Sequence, residues 1–61
     1  MKFIQLTTNT GNIIYINLEI VTSIVREKDK THTLISFNDR SSEVRVDETP
    51  EEIFAAREVK L

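Results

Sequence analysis

The stretch "GNIIYINLEIV", residues 11–21, decides the fold. Ile13, Ile14, Tyr15 and Ile16 follow one another without a polar break, which reads as a β-strand. Side chains alternate faces along a strand, so Ile14 and Ile16 point one way and Ile13 and Tyr15 the other. One face supplies the core, and the other must be covered by something else. Gly11 and Asn12 tolerate the positive φ of a tight turn and close a hairpin ahead of the strand. Asn17 interrupts the run behind it, so "NLEIV" bends the chain or makes a short turn.

Working outward, "KFIQLTT" reads as a first strand, with Ile4 and Leu6 on one face and Phe3, Gln5 and Thr7 on the other. "VTSIVRE" is a third strand. The charged run "EKDK", residues 27–30, suits a solvated hairpin tip rather than a half-buried strand. "THTLISF" follows as a fourth strand, with Thr33, Ile35 and Phe37 on one face and His32, Leu34 and Ser36 on the other. "NDRS" makes a turn from Asn38 and Asp39, whose short side chains bond to nearby backbone N–H groups. "SEVRVDE" alternates cleanly, Val44 and Val46 inward and Glu43, Arg45 and Asp47 outward.

"TPEE" is a helix start. Thr49 is placed to cap it, Pro50 fits the first helical position where its missing N–H is harmless, and Glu52 can complete a capping box. Glu51 and Glu52 also lie at the positive end of the helix dipole. The helix runs through "EEIFAAREVKL" for around ten residues, with Ile53 and Ala56 on one face. A helix that short needs a surface to dock on. Consecutive antiparallel strands usually pair, so the expected fold is mainly β (α+β). It is a curled antiparallel five-stranded meander or small open barrel with one C-terminal helix, a single small domain over residues 1–61.

A chain of 61 residues buries only about 60% of the surface its unfolded form exposes. It has no cysteine, so neither disulfides nor a Cys-based zinc site can staple it, and small domains without staples gain burial by associating. Net charge is −2, which gives no overall attraction to phosphate backbones or anionic lipid. Residues 1–30 carry four basic and three acidic side chains, and residues 31–61 carry four basic and seven acidic. No apolar run approaches the roughly 18 residues needed to span a bilayer, and the N-terminus lacks a signal-type apolar segment. A soluble, cytoplasmic chain is expected.

The sequence assembles no catalytic constellation. His32 is the only histidine and reads as a strand residue. Thr7, Thr8, Thr10, Ser41 and Ser42 sit at turns and strand edges without an adjacent base or an oxyanion site. The carboxylate pair Asp47 and Glu48 projects to opposite faces of a strand, and Glu51 and Glu52 are explained by helix capping. A single glycine excludes a phosphate-cradling loop. No enzyme activity, cofactor or metal site is therefore expected.

The order "FIQLTTNTGNIIYIN", "IVTSIV", "THTLISF", "VRVDETPEEI" resembles the small flagellar and swarming-motility proteins FlbD and SwrD. The matching positions are Ile4, Leu6, Thr7, Gly11, Ile16, Asn17, Ile20, Ile24, Thr33, Ile35, Val44, Val46, Glu51, Glu52 and Ile53. They span roughly residues 3–54. The turn "NDRSSE" departs from that family's pattern by lacking an Asn–Gly pair. The resemblance implies a motility-related role and carries over no catalytic or cofactor residue.

What remains is the second apolar face. Phe3, Ile13, Tyr15, Ile35 and Phe37 cannot all join Ile4, Leu6, Ile14, Ile16, Val44 and Val46 in one layer if each strand is regular. A contiguous apolar patch of that kind marks an interface. The expectation is a non-enzymatic protein-interaction module that self-associates, or binds another protein, through Phe3, Ile13, Tyr15, Ile35 and Phe37. The alternative is a single-stranded nucleic-acid-binding β-domain, because Phe3, Tyr15 and Phe37 could stack bases beside Arg26, Lys28 and Lys30. Glu27 and Asp29 interrupt that basic cluster, so nucleic acid is the lesser candidate.

Overall fold

The structure, a computed structural model, describes residues 2–26, 31–39 and 42–60. Among these residues there are five strands: β1 (Phe3–Thr7), β2 (Ile13–Asn17), β3 (Val21–Val25), β4 (Thr33–Phe37) and β5 (Glu43–Val46). A one-turn 3₁₀ helix, Leu18–Ile20, lies between β2 and β3, and the helix α1 (Pro50–Ala55) follows β5. The mainly β fold with one C-terminal helix is as expected. The strands form two antiparallel sheets, β1-β2 and β3-β4-β5, which do not close into a barrel. The expected meander therefore breaks at one place. Strand β2 ends there at Asn17, whose side-chain oxygen accepts the Glu19 N–H at 3.0 Å to cap the 3₁₀ turn.

The β1–β2 hairpin turns on Gly11, whose φ of +90° lies in the region that β-carbons disfavour. Thr8 organises the loop: its N–H donates to the Asn12 carbonyl, its carbonyl accepts from Gly11, and its hydroxyl accepts the Asn12 N–H. Asp39 behaves as the turn reading requires, its carboxylate accepting both the N–H and the hydroxyl of Ser42. The 27–30 tip, and Arg40 and Ser41 of the last turn, lie outside the described residues.

The two sheets meet along β1 and β5. Thr8 bridges Val46, the Asp47 N–H donates to the Thr7 carbonyl, and the Asn9 N–H donates to the Arg45 carbonyl. The core between them comprises Ile4, Leu6, Ile16, Ile35, Val46 and Ile53, with Ile14, Val21, Ile24, Phe37 and Val44 packed against it. Ile4, Leu6, Ile14, Ile16, Val44 and Val46 thus face inward as their alternation predicts. Ile35 does not belong to the second face. It pairs with Val44 on β5 and Ile24 on β3, and directly opposed residues share a face, so Ile35 is fully buried beside them.

Helix α1 opens with the expected capping box. The Thr49 hydroxyl accepts the Glu52 N–H at 3.1 Å, and the Glu52 carboxylate accepts the Thr49 N–H at 2.9 Å. The helix is shorter than its sequence suggests, six residues. Ala56 already has extended backbone, and the chain beyond it runs back so that the Val59 N–H donates to the Phe3 carbonyl at 2.7 Å. Only Ile53 of the helix is buried, and it plugs the core.

Candidate interaction groove

A groove of about 410 Å³ is lined by Phe3, Ile14, Tyr15, Ile16, Asn17, Ile20, Phe37, Asn38, Asp39 and Ser42. Four consecutive residues of β2 contribute, and consecutive strand residues belong to opposite faces. The groove therefore follows the edge of β2 rather than either face alone. Its far wall comes from the 3₁₀ turn at Ile20 and from the end of β4 with the turn after it. A backbone bond from the Asn38 N–H to the Ile20 carbonyl, 3.0 Å long, holds these two wall segments together.

The edge itself is open. In the β1–β2 ladder the Thr8 N–H bonds the Asn12 carbonyl and the Leu18 N–H bonds the Lys2 carbonyl. With Ile4 opposite Ile16 and Leu6 opposite Ile14, antiparallel alternation turns the even-numbered amides of β2 toward β1. The N–H and C=O groups of Ile13 and Tyr15 then point away, and among the described residues no strand pairs with that edge. Tyr15 is 50% exposed and Ile13 is 63% exposed.

The five residues expected at an interface therefore separate. Phe3, Tyr15 and Phe37 come together around the groove. Ile13 lies on the same strand and outer face as Tyr15, exposed beyond the groove's lining. Ile35 is in the core and has no surface to offer. Ile20, 42% exposed in the groove wall, is an addition. Its signal was an apolar residue in the "NLEI" turn, where a solvated connection would carry a polar one.

A second groove of about 410 Å³ lies along the edge of β3, between Lys2, Leu18, Glu19, Ser23, Ile24 and Phe54, among others. Phe54 is 72% exposed there. This groove carries charges of both signs, and the β3 edge is disturbed by a register shift between Val21 and Ser23. Bulges of that kind blunt an edge against strand addition.

His32 Nε2 lies 3.6 Å from an oxygen of Asp47, both partly exposed. Among the described residues no group of three or more His, Asp or Glu side chains is arranged to hold a metal ion. No helix among them is long and apolar enough to cross a membrane. Comparison with protein-family models, curated proteins and solved structures finds no match to this chain.

Proposed function

We propose that this chain is a non-enzymatic interaction module that self-associates through the apolar surface around Phe3, Tyr15, Ile20 and Phe37. The observation that carries the reading is the convergence of these side chains on one open groove beside the edge of β2 that no strand among the described residues pairs with. Small size adds support, since a chain of 61 residues gains in association the burial it cannot reach alone. The resemblance to FlbD and SwrD suggests motility as the setting in which such a module acts.

The nucleic-acid alternative draws on the same aromatic side chains, but the described lining residues include Asp39 and neither Lys nor Arg. Single-strand sites need cationic groups along the aromatic platform to track phosphates.

Light scattering across micromolar concentrations tests the reading. The expected result is a mass above the 7.1 kDa of one chain, falling on dilution. Tyr15→Glu places a charge in the surface desolvated by association and shifts the species toward monomer. A strict monomer at all concentrations overturns the proposal.

A further inference from the structure

Resting on that reading, we infer that the partner is a second copy of this chain, joined edge to edge through β2 in antiparallel register about a two-fold axis at Tyr15. The unpaired backbone groups of Tyr15 make it self-complementary. Its N–H donates to the Tyr15 carbonyl of the second copy and its carbonyl accepts the reciprocal bond, the arrangement of a hydrogen-bonded antiparallel pair. This register overlaps all of β2, setting Ile14 opposite Ile16 and Ile13 opposite Asn17, whereas a slip leaves end residues unpaired.

Charge favours a second copy as occupant. Ile13–Asn17 contains no ionisable side chain except the tyrosine, so a two-fold along this edge opposes no like charges. Nor does β2 carry the proline, lysine or bulge by which exposed edges are commonly guarded. The β3 edge differs on this point, having its register shift. The groove also suits the occupant. In this register the two Tyr15 side chains, each half-exposed and lining its own groove, lie side by side on the outer face of the joined sheet and cover one another. The two β1-β2 hairpins then make one four-stranded sheet.

The absence of native cysteine allows a clean test. Opposed residues in a hydrogen-bonded pair have Cα atoms about 5.5 Å apart, within disulfide reach. Tyr15→Cys should therefore cross-link into a covalent dimer under mild oxidation. Ile13→Cys should not, since its two copies lie about 13 Å apart in this register. Hydrogen exchange on the unmutated chain gives an independent measurement, with the Tyr15 amide gaining protection as concentration rises. A dimer in which that amide exchanges at a concentration-independent rate overturns edge pairing and leaves self-association standing. A monomer at every concentration overturns both.

Discussion

Both carboxylate oxygens of Glu48 accept the backbone N–H of Thr7, at 2.9 and 3.0 Å. Thr7 ends β1, and its carbonyl already bonds the Asp47 N–H, so consecutive residues after β5 satisfy both sides of one peptide position. The backbone carbonyl of Glu48 is itself held by the buried Thr33 hydroxyl at 2.6 Å. One residue thus ties together β1, β4 and the approach to α1.

Removing that carboxylate orphans a partly buried amide. Glu48→Ala should destabilise the fold by about 1–3 kcal/mol, the range for an unsatisfied buried donor. Glu48→Gln keeps an acceptor oxygen and should lose less. Urea unfolding followed by circular dichroism checks the order, which fails if the two variants are equally stable.

How legible this was depends on whether a feature is local. The capping box at Thr49 and Glu52 and the alternation of β2 are contained in short windows, and both appear in the structure as read. Ile35 could not be placed that way. Strand β4 has apolar residues on both faces, Ile35 on one and Leu34 on the other, so alternation alone leaves its inward side open. Pairing with Val44 settles it. The helix end was equally hidden, because "AREVKL" suits a helix but Val59 gives its N–H to Phe3, far away in sequence. The groove was partly legible: Tyr15 and Phe3 follow from alternation, whereas Ile20 reaches it only through the bond that joins the 3₁₀ turn to Asn38.

The contrast between Ile35 and Ile13 makes a direct test of that placement. Ile35→Ala empties a fully buried site and should cost about 2–5 kcal/mol, while Ile13→Ala, on an exposed side chain, should stay within about 0.5 kcal/mol in the monomer. Similar losses at the two positions would contradict the pairing of Ile35 with Val44.

Gly11 is required for its backbone angle rather than for space, since a β-carbon there would meet nothing within 4 Å. Gly11→Ala should therefore destabilise the hairpin by about 1–2 kcal/mol, the left-handed penalty of an L-residue. Gly11→Asn should recover part of the loss, because asparagine visits positive φ more readily. Thermal melts of the pair would reveal it, and a harmless alanine would remove the argument.

Salt dependence separates protein association from nucleic-acid binding. Titration with a fluorescent single-stranded oligonucleotide at 50 mM and 200 mM salt, an interval of about fourfold over which phosphate-bound complexes weaken steeply, should give no saturable binding at either. Saturation at low salt that collapses at high salt would move the groove's aromatic side chains to the other function.

The acid limb of stability should carry the signature of Glu52. Its hydrogen bonds from the Thr49 backbone N–H and from the Thr49 side chain, in that order, hold its pKa below the ordinary 4.5. The folded state therefore binds fewer protons than the unfolded state in that range, and stability rises with pH across it. The contribution is fully present above about 4.5 and disappears as pH falls through the lowered folded value. Glu52→Gln has no such titration. The gap between the denaturation midpoints of the native chain and the variant should be constant near neutrality and narrow below pH 4.5, the remaining carboxylates contributing alike to both. A gap that stays unchanged down to pH 3 would mean that the ionised carboxylate adds nothing to the cap.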